Sequence, residues 1–304
     1  MHASEKKVAR CYSLLDLHRA AGMLDLTEGL YGGDPLMSYG EAQQQQIAAL
    51  LDRVHCTSGS SILDIGCGYG TLVSAARRRA ASAIGVTISP EQRKYCVESG
   101  LDVELLNYRN ALEVHPDWRG KFSGIIANGS MEHFVQPKDA LAYNQDKLYR
   151  ELFDICRALL RPGGRFATTC IHFIRRPDPC EIVRGPWVHP RGSELFHLSM
   201  LMHMGGAFYP CGDQLERCAQ RCFTLHGQME HTEDYRRTSE EWLRQWKRAF
   251  LKPRFYAKVI PGFLRGPRSF VDGFICLLVA QSWNWQFRPP APTRLLHQTW
   301  VRCD

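Results

Sequence analysis

Three glycines at alternate positions, Gly66, Gly68 and Gly70, follow a short apolar segment and offer a ligand a place against the main chain. A side chain at these positions would obstruct a bulky ligand, whereas glycine lets the backbone approach it closely. The loop lacks the Lys-Ser/Thr pair of a phosphate-binding loop, and Asp64 stands just before it. The spacing predicts a ligand-binding turn between a strand and a helix, a feature that several classes of nucleotide-binding protein share.

Glu132 is the second residue whose type and place suggest chemistry. It lies between Asn128 and Phe134, directly after an apolar stretch typical of a strand. In a parallel sheet the ligand crevice lies beyond the carboxyl ends of the strands, where a carboxylate can stabilise positive charge during a reaction. We predict that Glu132 is catalytic, the alternative being a cap for the following segment, and interpret neighbouring His133 as structural.

These residues need a scaffold, and the middle of the chain alternates strand and helix patterns. Apolar segments predict strands at 61–65, 83–87, 103–106, 124–127, 165–170, 224–229 and 295–301. Apolar residues at helical spacing predict helices near 47–54, 72–79, 148–159, 214–222 and 240–250. The order indicates an α/β fold with a seven-stranded, mostly parallel sheet and helices on both faces.

Residues 173–210 interrupt this regularity, because they are rich in proline, arginine, histidine, methionine and aromatic residues. Such a stretch would be a long connection unless it contains helices of its own. We predict a substrate-binding insertion there, after the fifth strand, and a further helical segment at about 240–287. The chain would then comprise an N-terminal helical cap at 1–55 and a larger domain at 56–304.

The composition narrows the functional classes. A hydrophobic content of 44% and a charged content of 23% are typical of soluble globular proteins. A net charge of +7 is modest for a nucleic-acid-binding protein, so we do not expect a nucleic acid as a partner. The sequence contains neither an apolar leader nor a run of roughly 20 apolar residues, so we expect a cytoplasmic protein with at most peripheral membrane contact. The twelve cysteines show no zinc-binding spacing, so no metal is expected.

The glycine segment at 63–68, Leu-Asp-Ile-Gly-Cys-Gly, resembles motif I of class I methyltransferases, which are Rossmann-like enzymes. There the glycines hold the methionine portion of S-adenosylmethionine (SAM). Residues 85–92, Gly-Val-Thr-Ile-Ser-Pro-Glu-Gln, resemble the Gly-x-Thr-x-Ser-x-x-Gln signature of the cyclopropane-fatty-acid synthase family. The resemblance implies that the Thr-x-Ser turn and the glutamine face the nucleoside, and that Asn107 and Tyr108 lie beside the adenine.

The resemblance extends over nearly the whole chain. The segment from 24 to 42 is similar to one that covers the cofactor in that family, and Glu132 lies in a segment similar to its bicarbonate-holding Glu-His segment. Residues 231–238 place Tyr235 on the tyrosine that completes this anion site. The cofactor-binding residues implied are Tyr31, Tyr39, Gly40, Asp64, Gly66, Gly68, Gly70, Thr87, Ile88, Ser89, Gln92, Asn107, Tyr108, Asn128 and Gly129.

Two departures from the family concern the anion site. Tyr39-Gly40-Glu41 stands where the family has a segment with a cysteine, and Thr169 stands where it has a histidine. A histidine follows three residues later as His172, which we include among the catalytic candidates with Glu132 and Tyr235. Because these anion-holding groups differ, we expect simple methyl transfer rather than bicarbonate-assisted ring closure.

The acceptor is not identified by the sequence. Aromatic and aliphatic residues at 173–204 and 263–287 would wall an apolar acyl, prenyl or aromatic substrate, or would be ordinary core. The leading hypothesis is a SAM-dependent methyltransferase that methylates carbon of a hydrophobic acceptor, and a homodimer is the candidate assembly. The alternatives are N-methylation of a small amine, a true cyclopropane synthase, and a SAM-binding regulatory protein without catalysis.

Overall fold

The computed structural model describes residues 21–23, 25–264 and 268–304. The part of the predicted N-terminal cap before residue 21 lies outside this range. Within the described residues the chain forms seven strands, which are β1 (Ser61–Ile65), β2 (Ser82–Thr87), β3 (Val103–Leu105), β4 (Phe122–Asn128), β5 (Leu160–Phe173), β6 (Phe223–Glu230) and β7 (Thr293–Arg302).

The described strands form one sheet in the order β3-β2-β1-β4-β5-β7-β6. The first five strands pair in parallel, and β7 lies antiparallel between β5 and β6. The last strand of the chain is therefore an interior strand of the sheet. The predicted seven-stranded, mostly parallel sheet is confirmed, and each predicted strand overlaps an observed one.

Both faces of the sheet are covered, because neighbouring strand residues contribute to different cores. Ile62 packs in one buried cluster and Leu63 in the other, and Ile125 and Ile126 alternate in the same way. In a strand, successive side chains point to opposite faces, so this alternation requires apolar partners on each side. The sheet is thus the central layer of an α/β sandwich.

The helices that cover the sheet match the predicted order. The described α-helices are α1 (Tyr39–Arg53), α2 (Thr71–Arg78), α3 (Pro90–Glu98), α4 (Ala111–Val114), α5 (Pro137–Leu141), α6 (Gln145–Leu159), α7 (Pro179–Val183), α8 (Glu194–Gly205), α9 (Gln214–Ala219), α10 (Thr232–Phe250), α11 (Pro253–Leu264) and α12 (Arg268–Trp285). Short 3₁₀ turns occur at Tyr108–Asn110, Pro116–Trp118, Met131–His133 and Pro186–Val188. The segment at 173–210 therefore contains helices of its own, α7 and α8.

The helical segment near the C-terminus is longer than predicted, since α10 begins at Thr232. Before α1, residues 25–38 form turns and irregular chain rather than helix. This segment is tied to distant parts of the protein: the backbone N–H of Gly29 donates to Thr238 Oγ1 at 3.0 Å, and that of Tyr31 donates to Asp234 Oδ1 at 3.0 Å. Among the described residues, no helix combines the length and apolar character that crossing a membrane requires.

Candidate active site

The glycine loop forms the floor of a cleft at the carboxyl end of β1. The backbone N–H groups of Gly66 and Cys67 donate to Val86 O at 2.9 and 3.1 Å, which fixes the loop against β2. Gly66 has a φ of 78°, and a Cβ there would lie 2.5 Å from Ser130 Cβ. Gly68 has a φ of 54°, and a Cβ there would meet no atom within 4 Å. Gly66 therefore allows close packing, whereas Gly68 borders open space that a ligand can occupy.

The cleft has a volume of about 700 Å³, including space open to solvent. Its walls come from the irregular segment before α1, the glycine loop, the first turns of α2 and α3, and the end of β4. The residues that line it are Asp25, Leu26, Thr27, Ile47, Asp64, Gly66, Cys67, Gly68, Tyr69, Thr71, Leu72, Gln92, Asn128 and Gly129. The predicted residues that lie together here are thus Asp64, two of the three glycines, Gln92, Asn128 and Gly129.

Two carboxylates give the cleft an acidic wall. Burial, followed by the charge of Asp25, raises the pKa of Asp64 to about 7. Burial also raises the pKa of Asp25, while a hydrogen bond from Thr71 Oγ1 opposes that shift. A cationic ligand group would stabilise the ionised form of both carboxylates. Sequence reasoning missed Asp25, Thr27 and Thr71: the resemblance of residues 24–42 to a cofactor-covering segment indicated the region of the first two, but not these residues.

The Thr-x-Ser turn after β2 supports the cleft from behind. Thr87 Oγ1 donates to Gln92 Oε1 at 2.7 Å and accepts from the Ser89 N–H at 3.2 Å. Ser89 Oγ caps α3 by accepting from the Gln92 N–H at 3.3 Å, and Pro90 occupies the first helical position. Gln92 lines the cleft, and the turn, including half-exposed Ile88, orients its side chain.

Asn107 and Tyr108 are not among the residues that line the cleft. Asn107 Oδ1 accepts from the Arg109 N–H at 3.0 Å and so caps the 3₁₀ turn. The buried Tyr108 ring packs against Phe134 with centroids 4.5 Å apart. The structure thus gives both residues a structural contact, and their predicted place beside an adenine stays a prediction.

Glu132 is enclosed in the 3₁₀ turn after β4, with 2% of its surface exposed. Its Oε1 accepts from the Ile171 N–H at 2.8 Å, whereas Oε2 has no hydrogen-bond partner among the described residues. Burial raises the pKa of Glu132 to about 8, although these backbone contacts oppose the shift. Burial, followed by the charges of Glu28 and Glu132, raises the pKa of the buried Tyr235. Among the described residues, Glu132 and Tyr235 are linked by this electrostatic effect alone, so the predicted catalytic role of the pair stays a prediction.

A buried polar network that the sequence did not reveal lies beside this pair. Gln46 Nε2 donates to Glu28 Oε1 at 2.9 Å and to Asn128 Oδ1 at 2.7 Å. Thr169 Oγ1 donates to Asn128 Oδ1 at 2.9 Å and accepts from the Gly129 N–H at 2.8 Å. The network thus joins the interior carboxylate of Glu28 to residues that line the cleft. A glutamine in a helix and a glutamate before it carry no pattern that would have predicted this contact.

Several predicted cofactor residues lie outside the cleft lining: besides Asn107 and Tyr108, they are Tyr31, Tyr39, Gly40, Gly70, Thr87, Ile88 and Ser89. Tyr31 packs its ring 3.9 Å from the guanidinium carbon of Arg237. Tyr39 donates from its hydroxyl to Thr27 O at 2.9 Å, so it supports the cleft wall from outside, and exposed Gly40 lies in the first turn of α1. The residues of this N-terminal segment that line the cleft are therefore 25–27, about a dozen positions before Tyr39.

Two further residues bear on the predicted changes at the anion site. Glu41 does not stand in an anion site: it is exposed and forms a capping box with Ser38 at the start of α1. His172 lies beside Arg294 and Gly212, and burial followed by the charge of Arg294 lowers its pKa to about 3. None of the interactions described for His172 is with Glu132 or Tyr235.

Proteins with similar sequences include cyclopropane synthases and fatty acid methyltransferases. The chain is 33% identical over 147 residues to the cyclopropane-fatty-acyl-phospholipid synthase of Escherichia coli K12, covering 44% of this chain and 35% of that protein. It is 31% identical over 189 residues to a probable fatty acid methyltransferase of Pseudomonas putida, covering 56% of this chain and 43% of that protein. The matches therefore span less than half the length of these relatives.

A solved structure resembles nearly the whole chain. The mycolic acid cyclopropane synthase CmaA1, complexed with SAH and CTAB, superposes with a TM-score of 0.75 at 19% identity and covers 99% of both chains. This likeness confirms the predicted fold of class I methyltransferases. The model of the mycolic acid cyclopropane synthetase family matches residues 30–258, well over half of the chain. The protein therefore belongs to the mycolic acid cyclopropane synthetase family, as the sequence motifs predicted.

Proposed function

We propose that the protein is a SAM-dependent methyltransferase that transfers a methyl group to carbon of a hydrophobic, unsaturated acceptor. The observation that carries the proposal is the cleft itself, which has open space at Gly68 and is lined by the carboxylates of Asp25 and Asp64 and by Asn128 and Gly129 at the end of β4. A ligand that carries both an ammonium group and a reactive cation fits such a site. Family membership supports the same proposal.

The residues present fit SAM at three places. The open space beside Gly68 lets a ligand lie against the backbone, and the carboxylates of Asp25 and Asp64 face the same space. These two would hold the α-ammonium group, while Gln92 would contact the nucleoside, as the motif resemblance implies. SAM, when bound, supplies an electrophilic methyl group. The neighbouring carboxylate of Glu132 adds electrostatic stabilisation and a place for the proton that the acceptor loses.

The unpaired Oε2 of Glu132 supports its proposed role as base. Because burial keeps the pKa of Glu132 near 8, the side chain is mostly protonated at neutral pH when no other cation is near. A positive charge in the cleft favours the ionised form and so lowers that pKa. Glu132 would then become able to accept a proton when the cofactor is in place. Glu132 would therefore carry its negative charge only when the cofactor is bound.

Aromatic side chains around Tyr235 support an apolar acceptor. The Tyr235 ring stacks on Phe287 with centroids 4.5 Å apart, and Trp283 meets the same ring edge-on at 6.0 Å. Trp242 meets Tyr235 at 5.8 Å from another side. Aromatic walls of this kind exclude water and bind hydrocarbon, while a tyrosine hydroxyl provides a polar contact. They come from α10 and from the segment around α12, the predicted helical region.

Simple methyl transfer, rather than ring closure, is part of the proposal. In this chain the place of an anion-holding histidine is taken by Thr169, whose hydroxyl is occupied by Asn128 and Gly129. The product would therefore carry a methyl or methylene branch after the acceptor loses a proton.

Incubation with methyl-tritiated SAM and vesicles of dioleoylphosphatidylglycerol tests this function. Vesicles of dipalmitoylphosphatidylglycerol, which lack a double bond, are the matched control. We expect label in the unsaturated lipid alone, and proton NMR of the extracted acyl chains separates a branch from a cyclopropane ring. Binding of S-adenosylhomocysteine is measured in parallel by calorimetry. Failure to bind it would refute the methyltransferase proposal, and binding without lipid labelling would refute the proposed acceptor.

A further inference from the structure

The net positive charge of the chain is concentrated in one stretch near the C-terminus. Residues 245–271 contain no aspartate or glutamate but seven basic residues, which are Lys247, Arg248, Lys252, Arg254, Lys258, Arg265 and Arg268. The charge of this stretch therefore equals the +7 of the whole chain, and the remaining acidic and basic residues balance each other. A segment of one sign attracts a surface of the opposite sign.

Four of these basic residues are exposed where α10 ends and α11 begins. Earlier in α10, Arg236 and Arg244 form ion pairs with glutamates of the same helix. Among the described residues, by contrast, no carboxylate pairs with the exposed side chains of Lys247, Arg248, Lys252 and Arg254. The charges of these four side chains are therefore available to an external partner.

The same surface exposes apolar side chains. Along α11, Tyr256, Ile260 and Leu264 recur every four residues and are 41%, 47% and 78% exposed. Residues four apart lie on one face of a helix, so these three form a line along α11. Leu251, just before α11, and Val271, in the first turn of α12, are 83% and 56% exposed. We call these five residues, together with the four exposed basic residues, the basic–apolar patch.

A different face of α11 holds the helix on the protein. Phe255 is buried, and its ring centroid lies 5.1 Å from that of Phe250 and 6.0 Å from that of Trp246. Val259, four residues later, packs against the same core. A surface helix ordinarily presents polar side chains to water, so the exposed apolar line on α11 indicates a second apolar partner.

We propose that the basic–apolar patch docks the protein on the surface of an anionic lipid membrane. Lysine and arginine are attracted by anionic headgroups, while apolar side chains of the same helix enter the boundary between headgroups and acyl chains. A nucleic acid would bind the cations through its phosphates but would offer the exposed leucines and Ile260 no apolar contact. The inference rests on the proposed function, because it makes the membrane the source of the hydrophobic acceptor.

The helix α12 connects the patch with the aromatic side chains around Tyr235. Val271 lies near its start, and Trp283, near its end, meets the Tyr235 ring edge-on. From Val271 to Trp283 the helix rises about 18 Å, at about 1.5 Å per residue. One leaflet contributes about half of a hydrocarbon core that is about 30 Å thick. An acyl chain is therefore long enough to span most of this distance while its headgroup stays at the surface.

Sedimentation with vesicles tests the docking without cofactor or turnover. We expect the wild-type protein to bind vesicles of dioleoylphosphatidylglycerol at least about a hundredfold more tightly than vesicles of zwitterionic dioleoylphosphatidylcholine. Four exposed cations support this figure, since each contributes about fivefold near an anionic membrane. In about 1 M NaCl the difference should shrink, because salt screens the charges. Equal binding to both lipids, or binding to neither, would overturn the proposal.

Two double variants test the two components of the patch. Lys252→Gln/Arg254→Gln should weaken binding to the anionic vesicles about 25-fold, because two cations are lost. Leu251→Ser/Leu264→Ser should weaken it at least about tenfold, because less apolar surface enters the membrane. Wild-type binding by either variant would overturn the proposal. A loss in the charge variant alone would assign the patch to another polyanion, such as a nucleic acid.

A control pair of lysines shows whether the effect belongs to the patch or to the total charge. Lys138→Gln/Lys147→Gln removes two cations from exposed positions on α5 and α6. This variant should bind the anionic vesicles as the wild-type protein does, within about twofold, and an equal loss in it would contradict the assignment to the patch. All the substituted side chains are exposed, so the variants should fold, and thermal unfolding checks this.

Turnover distinguishes a failure of docking from a failure of the proposed function. We expect Lys252→Gln/Arg254→Gln to label vesicle lipid at least about tenfold more slowly than wild type. It should label methyl oleate in micelles of an uncharged detergent at the wild-type rate. A wild-type protein that binds anionic vesicles but labels no lipid would refute the acceptor and leave the docking intact. Labelling of vesicles by this variant at the wild-type rate would refute the docking alone.

Discussion

Replacing Glu132 with glutamine should change the pH dependence of stability in a defined direction. Burial raises the pKa of Glu132 from an ordinary 4.5 to about 8, so the folded protein holds this proton more tightly than the unfolded chain does. The stabilisation that this proton provides is complete below the ordinary pKa and is lost as the pH rises through the folded value. Glutamine has the same shape, keeps an oxygen for the Ile171 N–H and does not titrate.

The size of the effect follows from linkage. Between the two pKa values, each unit of rise in pH lowers the free energy of unfolding of the wild-type protein by about 1.4 kcal/mol relative to the variant. The difference in the free energy of unfolding, Glu132→Gln minus wild type, should therefore increase by about 3 kcal/mol between about pH 5.5 and about pH 7.5. This direction is opposite to that of a carboxylate in a favourable ion pair, whose stabilisation grows as the pH rises.

Urea denaturation of both proteins, without cofactor, at the two pH values measures this difference. Glu113→Gln, at an exposed glutamate on α4, is the matched control for the substitution itself. A difference between Glu132→Gln and wild type that stays constant with pH would refute the inference that Glu132 is held in its protonated form. In the lipid assay the same variant should lose at least about a hundredfold in turnover while binding S-adenosylhomocysteine normally. Full turnover would remove Glu132 from the mechanism.

Three further substitutions address the cleft. Gly68→Val should abolish binding of S-adenosylhomocysteine in calorimetry. The valine side chain would enter the space that the ligand needs, and the positive φ at this position disfavours it. Wild-type affinity would contradict the placement of the ligand beside Gly68. Asp64→Asn should weaken that binding by at least about tenfold, because it removes a carboxylate from the acidic wall, and equal affinity would show that the ammonium binds elsewhere. Thr71→Val should raise the pKa of Asp25 further, since it removes the hydrogen bond that opposes the effect of burial. Carboxyl ¹³C NMR measures this pKa, and an unchanged value would contradict the role of the hydrogen bond.

The sheet and the glycine loop could be predicted because their signals are local. Each predicted strand is an apolar segment of a few residues, and the alternation of Ile62 and Leu63 between the two cores needs no knowledge of the partners. The turn at Thr87 is likewise built from hydrogen bonds within a few residues. Motif order then identified the family. These features depend on short-range chemistry, which a single sequence contains.

The acidic wall and the buried network could not be predicted, because they depend on contacts between distant residues. The irregular segment that carries Asp25 and Glu28 has no periodicity, and its position is fixed by hydrogen bonds to Asp234 and Thr238, some two hundred residues away. Tyr39 and Gly40 were expected at the cofactor because residues 24–42 resemble a segment that covers it, and such a resemblance does not show which residues line the cleft. Their segment instead starts a helix with a capping box, and the cleft wall comes from residues before it.

The interior position of the last strand has a consequence for biosynthesis. Until β7 emerges from the ribosome, β5 has an unpaired edge and β6 has no neighbour in the sheet. An exposed, apolar strand edge is a site for pairing with other chains, and pairing between distant segments is slow. His297, on the same strand, reaches Glu28 only when β7 is inserted. The sheet and the buried acid–histidine pair are therefore completed in one event, the insertion of β7, and chains that lack this strand are prone to aggregation.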